Sequence, residues 1–200
     1  MKEFWNERYA AEAFAYGETP NVYVEEKLSE IAEGGKVLFP AEGEGRNAVY
    51  AATKGFEVEA FDMSISGKEK ALQLADKLGV KIRYELKNLK HITYPEAIFD
   101  GLILIYAHFP ADIRKEGFHK LCKSLKPGGI VIFEAFAKDQ LQYTSGGPKN
   151  EAMLFSEEEI PELFPDFTFK EIGTHIIDLE EGLYHIGKGS VVRFVGIKSE

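Results

Sequence analysis

Lys36-Val37-Leu38-Phe39-Pro40-Ala41-Glu42-Gly43-Glu44-Gly45-Arg46-Asn47-Ala48 is the stretch whose reading decides the fold. Lys36 to Phe39 is a short buried-strand signal, a Gly-rich turn follows, and an Ala-rich helix runs from Arg46 to Lys54 until Gly55 stops it. Gly43 and Gly45 permit backbone conformations and a close ligand approach that a Cβ would block. Read strictly, Gly43 to Ala48 is G-x-G-x-x-A, the dinucleotide fingerprint, and Asp62 stands about twenty residues on, where a ribose-binding acid belongs. Charge opposes that reading. A dinucleotide sets a doubly negative pyrophosphate over such a turn, and this turn carries Glu42 and Glu44.

Phe4 to Phe14 and Asn21 to Ala32 read as two opening helices, the second begun at Pro20 and stopped by Gly34-Gly35. Beyond the glycine turn, Phe56 to Phe61 is a strand, Ile65 to Leu78 a helix closed by Gly79, and Val80 to Tyr84 a strand. Ile98 to Tyr106 suits a central strand buried on both faces, Ile113 to Leu125 is a helix, and Ile130 to Phe136 is a strand. Asp139 to Glu151 is polar and Gly-rich, and within it Tyr143 to Asn150 has the composition of a mobile lid. Ser156 with Glu159 makes a capping box that opens a helix to Leu163, and Thr168 to Leu179 and Ser190 to Lys198 are strand-like. Strands alternating with helices, then two strands with a short connection, predict a single α/β domain. Its sheet is mostly parallel with an antiparallel pair at one end. In such a sheet the ligand lies at the carboxyl ends of the strands, here after Phe39, Phe61, Tyr84 and Ile105.

Composition narrows the partners. With 33 acidic residues against 24 basic ones the formal net charge is −9, which a phosphate backbone would repel, so a small-molecule substrate is expected and nucleic acid is not. The single Cys122 excludes an intrachain disulfide and suits a reducing compartment. The opening residues lack an apolar signal core, and the longest strongly apolar run, Leu102 to Ala107, is too short to cross a bilayer. The expectation is a cytoplasmic protein without a membrane partner, monomeric or homodimeric. No histidine lies three to five residues from another, so no metal site is expected.

Several stretches, in order and spacing, resemble the class I methyltransferases, and among them the tellurite-resistance and thiopurine type. They are Trp5-Asn6-Glu7-Arg8-Tyr9, Tyr16-Gly17, Pro20-Asn21, Val37-Leu38, Gly43 to Ala48, Gly55 to Val58, Phe61-Asp62-Met63-Ser64, Phe99-Asp100 to Pro110, and Leu125 to Gly129. The resemblance covers nearly the whole chain. It implies a Rossmann-like, doubly wound, seven-stranded sheet with helices on both faces, and S-adenosyl-L-methionine as cofactor. Residues 1–34 would form a helical segment covering the cofactor site. Trp5, Tyr9, Tyr16, Ala41, Glu42, Gly43, Asp62, Met63, Asn88, Leu89, Ile105 and Tyr106 would hold the cofactor. A sulfonium and an ammonium, unlike a pyrophosphate, tolerate carboxylates in the turn, and Asp62 can accept hydrogen bonds from ribose hydroxyls. Two positions depart from the pattern: Phe39 and Ala41 stand where the family has an acid and its first glycine. Asn88 stands where many relatives carry an acid facing the adenine amino group, and its carbonyl oxygen can serve there.

The implied reaction is in-line displacement at the sulfonium methyl by a small, soft or anionic nucleophile, a thiol or a chalcogen oxyanion. Tyr106, His108 and Arg46 are the candidate catalytic residues. His108 titrates near neutrality and has two readings, base or anion contact on one hand, a partner for a backbone group on the other. Arg46, at the mouth of the glycine turn, is placed to bind an anionic substrate or the cofactor carboxylate, or to pair with Glu42 or Glu44. The alternatives are an NAD-dependent oxidoreductase, which the fingerprint favours and the acidic turn opposes, and a non-catalytic cofactor-binding protein of the same fold.

Overall fold

The computed structural model describes residues 1–200. Its strands are β1 Lys36–Pro40, β2 Glu57–Asp62, β3 Arg83–Leu86, β4 Phe99–Ile105, β5 Leu125–Phe136, β6 Phe167–Glu181 and β7 His185–Lys198. Its helices are α1 Lys2–Tyr9, α2 Val22–Lys27, α3 Arg46–Thr53, α4 Ile65–Lys77, α5 Ala111–Ser124 and α6 Ile160–Leu163. One sheet contains all seven strands in the order β3-β2-β1-β4-β5-β7-β6. The first five pair in parallel, and β7 runs antiparallel between β5 and β6. This is the Rossmann-like doubly wound sheet with an antiparallel C-terminal pair. Its strand order reverses between β1 and β4.

The inner strands are apolar on both faces, as a buried sheet requires. Leu38, Leu102, Leu104, Val131 and Phe133 face one core with Phe118 of α5, Phe155 and Phe164. Val37, Phe39, Ile103, Ile105 and Ile132 face the other with Tyr23 and Val24 of α2 and Ala48 and Ala51 of α3. Phe39, in the position of the family's acid, is fully buried core.

Several boundaries move for identifiable reasons. α1 stops at Tyr9 rather than Phe14, because side chains take over the next backbone groups. Lys70 donates to the carbonyls of Ala11 and Ala13 at 2.8 and 2.7 Å, and Glu44 accepts from the amide of Ala15 at 2.8 Å. β3 begins at Arg83 because the amide of Val80 bonds back to Ala75, closing α4. β7 begins at His185, since Gly187 to Gly189 ladder with Ile177 to Leu179 instead of forming the connection. The expected lid, residues 143–150, is pinned through Ser145 and Gly146 and is not free. Gln140 bonds Ser145 and the amide of Ser190, and Ser145 donates to the carbonyl of Lys188 at 2.6 Å. The Ser156–Glu159 capping box is formed.

β5 pairs with β7 only from Ile130↔Ile197 to Phe136↔Val191, so β7 before Val191 and β6 after His175 project past the carboxyl end of β5. This two-stranded arm overhangs the ligand end of the sheet. Its tip returns to the segment after α1, where the amide of Leu183 donates to Ala15 at 2.9 Å and Arg8 stacks on Tyr184 at 3.7 Å.

The β1–α3 turn holds three left-handed residues, Ala41, Gly43 and Gly45, at φ of +53°, +61° and +86°. Gly45 is the N-cap of α3, and a Cβ there would lie 2.5 Å from the Cβ of Ala71 on α4. With no side chain on Gly45 to cap, Glu42 does so from upstream, one oxygen accepting from the amides of Asn47 and Ala48 at 2.8 Å each. Burial nevertheless lifts the Glu42 carboxyl from 4.5 to about 7, against the pull of those amides and Arg46.

Two stability outcomes follow from this turn. Gly45→Ala carries both left-handed strain and a clash with α4, whereas Gly55→Ala, at φ +88° with open space around it, carries the strain alone. Urea unfolding should show Gly45→Ala to be the more damaging, by roughly 1–3 kcal/mol. Glu42 has a raised folded-state pKa, so its contribution is present below about pH 4.5 and is lost as pH rises through about 7. Glu42→Gln keeps an acceptor for the two amides. Its urea midpoint should therefore fall less than the wild type's between about pH 5 and about pH 8.

Candidate functional site

The strand-order reversal places the ends of β1 and β4 side by side, and both continue into a left-handed residue that is not glycine. Ala41 follows β1 at φ +53° and Tyr106 follows β4 at φ +50°. Such conformations cost roughly 1–3 kcal/mol each and persist where surrounding contacts fix them. Tyr106 donates its amide to Glu134 of β5 at 2.7 Å.

Beside Ala41 lies the first half of the site. Asp62 ends β2 with its oxygens toward the amides of Gly43 at 3.2 Å and Ser64 at 2.8 Å. Burial raises its carboxyl, and the amides of Ser64, Gly43 and Met63 oppose that rise. Asn6 of α1 accepts from the Ser64 hydroxyl and the Ile65 amide, which fastens α1 over the start of α4. Tyr9 is thereby laid on Gly43, where a Cβ would come 2.6 Å from the phenol oxygen. Trp5 stacks on Tyr9 at 5.4 Å, and Tyr9 meets Tyr16 edge-on at 6.5 Å. Tyr84 completes the floor by donating to the Gly43 carbonyl at 2.6 Å. Glu44 points away, to a 2.6 Å ion pair with Lys70 that anchors the segment after α1.

Beside Tyr106 lies the second half, a buried polar cluster. Glu181, at the end of β6, accepts from Arg46 at 3.0 Å, from Asn21 at 2.9 Å and from the Nδ1 of His185 at 3.0 Å. Burial alone would raise that carboxyl, but His185 and Arg46 outweigh it and hold it at about 2. Asn21 also donates to Glu134 at 2.6 Å, and Arg193 closes on the other Glu134 oxygen. Two buried polar atoms are left over. Arg46 Nη1 has no partner, and the Tyr106 hydroxyl lies near Glu134 without a formed hydrogen bond. Aromatic rings wall the cluster: His185 is 4.4 Å from Tyr16, 4.6 Å from Tyr106 and 5.1 Å from Phe136, centroid to centroid.

Of the residues singled out from sequence, the structure gathers Trp5, Tyr9, Tyr16, Ala41, Glu42, Gly43, Asp62, Met63, Ile105, Tyr106 and Arg46 at this end of the sheet. Three others are engaged elsewhere. His108 is wedged between backbone groups, Nδ1 on the Met153 carbonyl at 2.8 Å and Nε2 accepting the Phe136 amide at 3.2 Å. Burial pushes it down to about 4, and neither nitrogen is free to take a proton. Leu89 is core, packed against Gly117 of α5, and exposed Asn88 bonds the amide of Lys90. Asn21 was read only within the Pro20-Asn21 stretch, and Glu134, Glu181 and His185 were not singled out. Glu134 alone left a sequence signal, as the one acid in the apolar run from Ile130 to Phe136.

The chemistry of the turn now separates two cofactors. A pyrophosphate would need the amides at the start of α3, and the Glu42 carboxylate already occupies those of Asn47 and Ala48. A cofactor with cationic centres and one carboxylate meets Glu42, Asp62 and the spare donor of Arg46 without conflict.

Residues 37–129 match the family model of a methyltransferase domain. A curated relative, the tRNA (uracil(54)-C(5))-methyltransferase of Pyrococcus abyssi, is 31% identical over 121 residues, which is 56% of this chain and 28% of that protein. The chain thus spans little more than a quarter of that relative's length. TehB from Haemophilus influenzae has the same fold with a TM-score of 0.74 and 17% identity, over 100% of this chain and 67% of its own. So has the structure described for conversion of a disulfide bond into a thioacetal group during echinomycin biosynthesis, with a TM-score of 0.74 and 19% identity over 100% and 92% of the two chains. No helix is long and apolar enough to cross a membrane. The domain match and the fold agree: residues 37–129 read as a methyltransferase domain, set in a chain whose fold resembles that of TehB.

Proposed function

We propose that this chain is a cytoplasmic enzyme transferring a methyl group to a small-molecule acceptor, a thiol or a chalcogen oxyanion. The observation that carries the reading is the pair of unpartnered buried donors, Arg46 Nη1 and the Tyr106 hydroxyl, beside a turn whose acids exclude pyrophosphate. A buried donor without a partner costs roughly 1–3 kcal/mol, so such atoms mark a place where a ligand completes the bonding. Asp62 would take the ribose hydroxyls, Ala41 would give close backbone approach, Gly43 would seat the Tyr9 ring, and Trp5, Tyr9 and Tyr16 would wall the adenosine. Arg46 would take the carboxylate of the amino-acid portion.

When bound, the cofactor supplies an electrophilic methyl on a sulfonium. What the chain contributes is position and dryness. The aromatic walls and the overhanging arm keep water from the acceptor, and orientation alone is worth up to roughly 7–11 kcal/mol at the limit. The net charge of −9 speaks against a polyanionic acceptor, so we do not carry the tRNA of the curated relative to this chain.

Calorimetric titration with S-adenosylhomocysteine, with NAD as control, tests the reading. Saturable binding of the first and none of the second is expected, and Asp62→Ala should weaken it by roughly 100-fold. NAD binding, or no S-adenosylhomocysteine binding by folded protein, would overturn the proposal. Comparison with methylthioadenosine, which lacks the carboxylate, probes Arg46. The wild type should prefer S-adenosylhomocysteine, and Arg46→Met should erase most of that preference.

A further inference from the structure

The buried cluster beyond Arg46 contains a pair that cofactor binding does not use. His185 directs Nδ1 at the Glu181 carboxylate, 3.0 Å away, and its Nε2 makes no hydrogen bond. A carboxylate that accepts from Nδ1 fixes the tautomer in which the Nε2 lone pair is free, and it stabilises the imidazolium formed when Nε2 gains a proton. Glu181 is itself held by Arg46 and Asn21, so the ring cannot swing without breaking a buried bond. Tyr16, Tyr106 and Phe136 surround the ring, and the backbone of Gly146, at φ +129°, packs against its edge, where a Cβ would come 2.6 Å from Cδ2 and 3.3 Å from Nε2.

The same cluster has little to offer an anion. Arg46 is paired with Glu181 and Arg193 with Glu134, and the fully buried guanidinium nitrogen without a partner, Arg46 Nη1, belongs to the cofactor carboxylate in the methyl-transfer reading. Aromatic walls instead suit a polarizable neutral sulfur.

The geometry points to His185, oriented by Glu181, as the group that takes the proton from the acceptor, and to a neutral thiol rather than a pre-ionised oxyanion as the acceptor class. This rests on the methyl-transfer reading. In the step, the acceptor sulfur forms a bond to the methyl carbon while the carbon–sulfonium bond breaks and its electron pair stays on the departing sulfur. The thiol proton passes to His185 Nε2 and later leaves to solvent. The groups facing His185 are Glu181 of β6, Arg46 of α3, Glu134 of β5, Tyr106 after β4, Tyr16 after α1, Tyr184 at the arm tip, and the neighbouring His108. Burial lowers His185 and Glu181 opposes that, so the ring is neutral before reaction and its cation has a counter-charge afterwards.

Two thiols separate a base from a strut. Benzyl mercaptan reaches the site protonated, and 4-nitrothiophenol reaches it as the thiolate. At saturating cofactor, His185→Gln should lose roughly 100-fold in kcat with the first and little with the second. S-adenosylhomocysteine binding should stay within about threefold of wild type, which shows the fold and cofactor site intact. Glu181→Gln should move the acid limb of the benzyl mercaptan profile to lower pH, because the imidazolium loses its counter-charge. Nitrogen-15 spectra of the wild type without cofactor should show His185 with Nδ1 protonated and Nε2 bare near neutral pH. Equal loss on both thiols, no loss on either, or a proton resident on Nε2 overturns the proposal. If the wild type binds S-adenosylhomocysteine yet methylates neither thiol, the thiol assignment falls while methyl transfer stands. If it does not bind, both fall.

Discussion

The Glu181 carboxylate lies largely shielded where β6 turns into β7, and it accepts from Arg46 and Asn21, far back in the chain, and from His185 four residues on. The antiparallel arm extends past the sheet and has no strand neighbour there, so something other than a ladder must hold its end over the site. Glu181 does so from inside, and the contacts of the tip with Ala15 and Arg8 do so from outside. Removing one partner of such a cluster leaves uncompensated buried charge, which typically costs roughly 3–5 kcal/mol. The arm, helix α3 and the aromatic chamber are therefore tied through a single carboxylate.

The acids of the glycine turn divide the remaining work. Glu42 turns inward and caps α3, while Glu44 turns outward to Lys70 and fixes the segment that lays Tyr9 over Gly43. The turn thereby uses up the helix N-terminus that a dinucleotide fold reserves for phosphate. A fingerprint read as spacing alone is indifferent to this. The identity of the intervening residues reverses its meaning.

The sheet was legible because its signals are local and repeated: apolar runs buried on both faces, glycine stops after helices, and an acid after the second strand. The glycine turn and Asp62 were legible for the same reason. His108 was not, because whether a histidine near a strand end meets solvent or two backbone groups depends on Phe136 and Met153, far along the chain. Glu181 and His185 were hidden differently. Gly187 to Gly189 suggest a loop, and only pairing with Ile177 to Leu179 shows that the strands run on and carry both residues over the site. The early end of α1 likewise depends on Lys70 and Glu44, whose partners no helical period discloses.

The two histidines show why burial by itself says little about proton chemistry. His185 is buried and His108 largely so, and desolvation pushes both below the ordinary value. His108 spends its two nitrogens on backbone groups, so no proton can pass to it without breaking a bond that holds Phe136 or Met153 in place. His185 spends only one, on a carboxylate, and the loss it suffers from burial is offset once it becomes charged. In a dry chamber that offset is stronger than it would be in water, because the low local dielectric magnifies the attraction of Glu181 for an imidazolium. Desolvation then keeps the base neutral until an acceptor arrives, and the counter-charge stabilises the cation that proton transfer creates. The position of Glu181, set by Arg46 and Asn21, decides which of the two histidines can change its charge.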